Sequence, residues 1–136
     1  MAEDERPNIF PFFRYDDPRA ALEWLATAFG FEQKVVVPLP DGTILHAEMR
    51  FGPGVIALGS TKDDELGMRT PRALGGVNQG TYVYVEDVEA HYNRAVDAGA
   101  EMVRPLEDTD YGSREYTARD LEGNLWAFGT YRMSAA

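Results

Sequence analysis

The sequence predicts an α+β fold: two βαβββ modules in tandem, whose curved mixed sheets surround a cleft. The first observation behind this is a repeat at a spacing of seventy, which pairs Asp17 with Asp87, Ala20 with Ala90, Gly42 with Gly112, Ala57 with Ala127 and Gly59 with Gly129. The second is the order of element types, since each half moves from an alternating aromatic run to helical spacing and back to alternation. The third is size: 136 residues with 44% hydrophobic content suit one domain of two intimately packed modules. The expected organisation is a single domain, with module one over 8–60, a linker over 61–79 and module two over 80–132.

In the first half, Ile9 to Tyr15 reads as a short aromatic strand. Asp17 is placed to cap a helix that Pro18 begins without losing a hydrogen bond. Leu22, Leu25 and Phe29 recur at helical spacing, and Gly30 ends the run. Phe31 to Val37, Thr43 to Phe51 and Val55 to Leu58 follow as strands, separated by turns at Pro38–Gly42 and Gly52–Gly54. The second half repeats the series. Thr81 to Val85 alternates, Asp87 caps a helix carrying Val88, Tyr92, Ala95 and Val96, and Gly99 ends it. Met102–Val103, Ser113–Arg119 and Leu125–Phe128 supply three more strands. The segment from Ser60 to Gly80 is too long for a routine connection and reads as a lid or a crossover.

Residues two apart on a strand share a side of the sheet. Ile56 and Leu58, like Trp126 and Phe128, are the large apolar residues that should pack on the helices. Ala57 and Ala127 then point to the concave side, together with Phe10 and Phe12 in the first half and Tyr82 and Tyr84 in the second. These four aromatic residues are the expected ligand-binding wall, over a floor of small residues. Strand aromatics also serve as ordinary packing.

His46 and Glu48 share a strand face, with Leu45, Ala47 and Met49 turned to the helix. A histidine and a carboxylate two apart form a candidate acid–base pair, because imidazole titrates near neutrality; the alternative is a solvated strand face. Under the seventy-residue offset Arg114 and Tyr116 match Ile44 and His46, so they are expected at the same cavity, with Arg114 suited to an anionic group. The competing reading makes Arg114 a surface partner of Glu115. His91, one position off the stripe of Val88, Tyr92 and Ala95, is expected at a rim or on the surface. Trp24 and Trp126 are expected in the core.

Composition removes several function classes. With no Cys there are no disulfides, thiolate nucleophiles or zinc fingers, so any metal site must draw on His46 and His91 with carboxylates. Thirteen basic against 23 acidic residues give a formal charge of −10, which opposes nucleic acid and attracts a cationic ligand. No apolar run approaches the ~20 residues that cross a bilayer. The acidic start Met1–Pro7 is unlike a secretory signal, so a cytoplasmic location is expected.

The paired modules, with Val85-Glu-Asp87 opening a helix, Ala98-Gly-Ala100 closing it and the run Arg119-Asp-Leu-Glu-Gly-Asn-Leu-Trp126, resemble the vicinal oxygen chelate superfamily, which includes glyoxalase I, extradiol dioxygenases and bleomycin-resistance proteins. The resemblance spans about Ile9 to Tyr131. It implies that metal-dependent relatives carry ligands where this chain has Phe10, Gly80, Ala57 and Ala127, none of which can bind a metal. The expectation is therefore no metal, no cofactor, and a cleft enlarged by small residues that holds an aromatic small molecule. The alternative is a glyoxalase-like lyase, isomerase or dioxygenase-type enzyme working through His46 and Glu48. The resemblance also implies a homodimer whose clefts draw on modules from both chains.

Overall fold

A computed structural model describes residues 6–135. The elements, in chain order, are β1 (Phe12–Tyr15), α1 (Pro18–Phe29), β2 (Glu32–Pro38), β3 (Ile44–Phe51), β4 (Gly54–Ser60), α2 (Pro71–Leu74), β5 (Gly80–Tyr84), α3 (Val88–Asp97), β6 (Glu101–Asp108), β7 (Arg114–Arg119) and β8 (Leu125–Gly129). One four-stranded sheet has the order β1-β4-β3-β2 and the other β5-β8-β7-β6. In each, the first strand runs parallel to the last and the remaining pairs are antiparallel. The acidic stretch through Glu5, read above for targeting, lies outside the described residues. Among the described residues no helix is long and apolar enough to cross a membrane.

Both long helices begin as the sequence implies. Asp17 accepts a hydrogen bond from the Ala20 amide and Asp87 one from the Ala90 amide, each at 3.1 Å, which satisfies an otherwise orphaned helix donor. Helix α1 ends at Gly30, whose φ of 79° needs a residue without Cβ. Its last carbonyls are then met from the other module. Arg94 donates to Ala26 O and Thr27 O, both at 2.8 Å, and His91 Nε2 donates to Phe29 O at 2.8 Å. A cation at a helix C-terminus also opposes the helix dipole. These contacts lock α1 against α3.

The edge strands differ from the sequence reading. Strand β1 starts at Phe12 rather than Ile9, because Pro11 has no N–H to give a ladder; Pro11 O takes only the Ala57 amide. Strand β6 is far longer than Met102–Val103. It is an outer strand whose pairing to β7 is interrupted by register shifts, and these accommodate Pro105 in a run of otherwise weak strand formers. The pairing of β2 with β3 shifts so that Val37 faces His46 and Pro38 faces Ile44. Leu45 is therefore the extra residue of a bulge. It is 50% exposed, and Ile44, at 2%, takes the inward place expected for it. The linker contains the unpredicted short helix α2, capped by Thr70.

One core serves both modules. Trp126, Phe128 and Phe29 are fully buried, and Phe13 stacks on Trp126 with ring centroids 5.2 Å apart. Trp24 is only partly buried, set edge-on against Phe29. The Tyr15 hydroxyl donates to buried Asp120 at 2.6 Å, and Trp126 Nε1 donates to the same carboxylate at 3.1 Å. Asp120 also accepts from the Glu122 and Asn124 amides. Glu122 reaches back to the first module, where its two oxygens accept from the Asp16 and Asp17 amides at 2.7 and 2.8 Å. Burial and the neighbouring Asp120 push the Tyr15 hydroxyl well above its ordinary value, so it stays a proton donor.

Candidate functional site

The sheet registers settle which side chains share a face. Phe12 lies opposite Ala57 and Ala57 opposite Glu48, so Phe12, Ala57, His46 and Glu48 stand on the face of the first sheet turned away from α1. In the second sheet Tyr82 lies opposite Ala127 and Ala127 opposite Thr117, with Tyr84, Gly129 and Glu115 in the next row. Ile56, Leu58, Trp126 and Phe128 point the other way and are buried, as the alternation requires.

Tyr116 corrects the sequence reading. It pairs with Phe128, is 1% exposed and lies under α3, not with His46. The offset of seventy fails in this strand: Leu58 faces Ala47, whereas Phe128 faces Tyr116, so the two modules differ there by sixty-nine. One residue of slip exchanges the faces of a strand. Glu115 and Thr117 are thus the counterparts of His46 and Glu48. Their polarity beside the apolar Tyr116 and Ala118 was the available signal. Arg114 shares Tyr116's side at the exposed end of β7 and pairs with Asp108 at 3.0 Å, instead of with Glu115.

On the first sheet His46 Nε2 and Glu48 Oε2 are 2.8 Å apart, with the two side chains 45% and 40% exposed. Phe12 is 60% exposed beside them. This surface joins an imidazole, a carboxylate and an aromatic ring at the solvent boundary. Of its three residues only Phe12 reaches either of the two largest cavities; His46 and Glu48 line neither.

The larger cavity, about 670 Å³, lies between the β3–β4 hairpin and the segment from β5 into α3. Phe31, Phe51 and Ile56 wall one side, Tyr82 and Tyr84 the other, and Arg132 and Glu86 bring charge. Its origin lies in the difference between the modules. Asp120 through Asn124 separate β7 from β8, and this longer turn reaches the start of α1; Gly52 and Pro53 alone separate β3 from β4, and no acidic knot fills the space before α3. A second cavity, about 430 Å³, is bounded by Phe10, Phe12 and linker residues such as Met68 and Asn78. The four expected aromatic residues are therefore divided between two cavities within one chain.

His91 lines the larger cavity and is not a simple surface residue. Its Nε2–H is committed to Phe29 O, so Nδ1 accepts from the Tyr116 hydroxyl at 2.6 Å. The ring lies 4.3 Å from Phe128, centroid to centroid. Burial holds His91 below its ordinary value and pushes the Tyr116 hydroxyl far up, so both are neutral near pH 7. With both ring nitrogens occupied, His91 welds α3 to α1 and has no free nitrogen for chemistry. Spacing along the helix gave no sign of this, because its partners lie 25 and 62 residues away.

The residues do not fit the metal that the fold resemblance brings to mind. Phe10, Gly80, Ala57 and Ala127 have no donor side-chain atom, and among the described residues no three His, Cys, Asp or Glu come together. His46 and Glu48 are two, and two ligands do not make a site.

Known proteins bear out the architecture. A solved structure, TioX from Micromonospora sp. ML1, is 34% identical and superposes with a TM-score of 0.74 over 96% of this chain and 100% of that one. An uncharacterized protein of Mycobacterium tuberculosis H37Rv is 33% identical over 131 residues, 95% of this chain and 77% of that protein. The fosfomycin resistance protein FosX from Mesorhizobium loti, 14% identical, shares the fold at a TM-score of 0.66 over 98% of this chain and 95% of its own. Residues 10–128 match the family model described as the Glyoxalase/Bleomycin resistance protein/Dioxygenase superfamily, and the chain belongs to that superfamily.

Proposed function

We propose that this chain is a metal-independent small-molecule-binding protein that holds an aromatic, preferably cationic ligand. The observation that carries the reading is the apolar cavity of about 670 Å³ at the module junction, within the usual size of small-molecule sites and bounded by Phe31, Phe51, Tyr82 and Tyr84. Ring faces there offer stacking, and the formal charge of −10 favours a cation over an anion at the approach. Phe10 and Phe12 supply a second aromatic surface. Superfamily members bind small molecules and often form dimers. In a homodimer the exposed faces carrying Phe12 and Tyr82 are available to meet across chains, and we assign the protein to that state, in the cytoplasm, with no nucleic-acid partner. The domain is single, with modules at 8–60 and 80–132 joined by the linker 61–79.

Calorimetric titration with a panel of planar aromatic compounds, neutral, anionic and cationic, tests this. Micromolar binding of at least one aromatic class is expected, weakened at least about tenfold by Val55→Trp, which places a large ring in the cavity from a partly buried position outside the core. A panel with nothing tighter than millimolar sinks the reading.

A second reading, a lyase, isomerase or dioxygenase-type enzyme without the four-ligand metal site, is supported by the 2.8 Å His46–Glu48 pair. That pair is placed to move a proton, with Glu48 holding the ring.

A further inference from the structure

Strand β5 is an outer strand that pairs with β8 alone. In a parallel ladder alternate residues turn both backbone groups to the partner, and the residues between them turn theirs away. The Val85 amide donates to Gly129 O at 2.9 Å, so Val85, Val83 and Thr81 face β8, and the N–H and C=O of Tyr82 and Tyr84 face outward. Thr81 through Val85 all line the larger cavity, so this open edge is one of its walls. Among the described residues no hydrogen bond reaches the four outward groups. The edge also lacks the proline or lysine that commonly blunts an outer strand.

The first sheet adds a separate observation. The Ala57 amide donates to Pro11 O, so Val55, two residues earlier on β4, also turns its backbone toward the line of β1. Strand β1 begins only at Phe12, and Pro11, whose nitrogen the register aims at Val55 O, has no hydrogen to give. Val55 lines the same cavity. Two sheet edges with unpaired backbone groups therefore open on one apolar space. A purely apolar ligand pressed against them would strip water from these groups and replace none of its bonds, whereas a ligand with amides of its own replaces them.

We propose that the cavity takes an amide-bearing aromatic ligand, a short extended peptide or peptide-like molecule of about three residues laid along β5 as an added strand. This rests on the aromatic-ligand reading above and names the class of that ligand. The backbone of Tyr82 and Tyr84 bonds the ligand's amides, and Val55 O offers an acceptor on the opposite bank. Side chains of an added strand alternate between the two faces. One of them points to Phe31 and Phe51, where an aromatic ring is favoured, and its neighbours lie on the side of the Tyr82 and Tyr84 rings.

Amide NMR titration of the full chain tests the edge with three probes: acetyl-Ala-Phe-Ala N-methylamide, its counterpart with an ester oxygen in place of each backbone N–H, and 2-phenylethanol. The peptide is expected to bind about tenfold more tightly than the ester, with the largest shifts at the Tyr82 and Tyr84 amides. Tyr84→Pro removes an outward N–H without breaking a bond to β8, and Tyr84→Ala removes the ring alone. The proline variant should hold the peptide at least about threefold more weakly than the alanine variant, while 2-phenylethanol binds both alike. Equal binding of peptide and ester by the wild type, or a peptide advantage whose shifts centre away from β5, overturns the strand addition and leaves the aromatic cavity standing. No binding by any of the three overturns both.

Discussion

The turns that join the last two strands of each module occupy matching places and act in opposite ways. In the second module, Asp120 to Asn124 folds inward, and its two carboxylates satisfy donors from Tyr15, Trp126 and the start of α1. In the first, Gly52 and Pro53 make a short turn that forms the lip of a cavity. Near-symmetric modules thus give one sealed junction and one open junction. Length and charge in a single turn decide which, since a buried carboxylate is tolerated only where several donors meet it. The fold supplies two places for a site, and this chain closes one of them.

The largest expected effect comes from undoing the sealed side. Asp120→Ala leaves the Tyr15 hydroxyl and the Trp126 indole N–H buried without an acceptor, which should cost about 3–5 kcal/mol of folding stability. Pro53→Ala, in the open turn, should change stability by less than about 0.5 kcal/mol. Urea denaturation of both variants checks the contrast. Similar losses from the two would mean that the turns carry equal structural weight and that the cavity has another origin.

Equivalent glycines sharpen the comparison at a smaller scale. Gly59 and Gly129 are seventy residues apart at the ends of β4 and β8. A Cβ at Gly59 would meet the Leu45 carbonyl oxygen at 2.9 Å and that of Ile44 at 3.2 Å, backbone held by the bulge in β3. At Gly129 the obstacles are the Glu115 and Tyr82 side chains. Gly59→Ala should therefore cost about 2 kcal/mol and Gly129→Ala about 1 kcal/mol, because side chains yield where a paired backbone does not. Thermal denaturation ranks them, and a reversed order would show that Glu115 and Tyr82 are held as firmly as the ladder itself.

His91 tests the weld between the modules through pH. Burial depresses its folded-state value below the ordinary 6.5, so the unfolded chain binds the proton first as acid is added. Its stabilising contribution is complete above that ordinary value and is lost as pH falls toward the folded one. The wild type should lose stability between about pH 7 and pH 5 relative to His91→Gln, which cannot titrate. Parallel curves for the two proteins in that window, followed by chemical denaturation, would show that the histidine titrates alike folded and unfolded.

The element order was legible because Asp17, Pro18 and Gly30, and Asp87 with Gly99, mark helix ends by local chemistry that needs no distant partner. The shared faces of Phe12 with Ala57 and of Tyr82 with Ala127 were legible for the same reason, since alternation within a strand is local. The failures share one cause. Tyr116 and Leu45 were misplaced where a turn or a bulge shifts the count by one residue, and alternation gives no warning of such a shift. The Asp120 knot, the His91 bridge and the division of the aromatic wall into two cavities depend on contacts made across 25 to 106 residues of chain.

The smallest expected change concerns the His46–Glu48 pair, which lines neither of the two cavities. His46 and Glu48 are each about two-fifths exposed, and an ion pair so placed contributes little to folding; His46→Ala should alter stability by less than about 0.5 kcal/mol. That near-neutrality makes the substitution a clean probe of chemistry, because a loss of activity cannot then be assigned to unfolding. The second module offers no counterpart, since Glu115 and Thr117 stand where His46 and Glu48 would be, without an imidazole to carry a proton. If the chain turns over a small carbonyl or enol substrate, His46→Ala should reduce kcat at least about a hundredfold, in line with loss of a general base. Unchanged turnover in a folded His46→Ala protein would exclude the pair from the chemistry and leave the cavity at the open junction as the stronger candidate site.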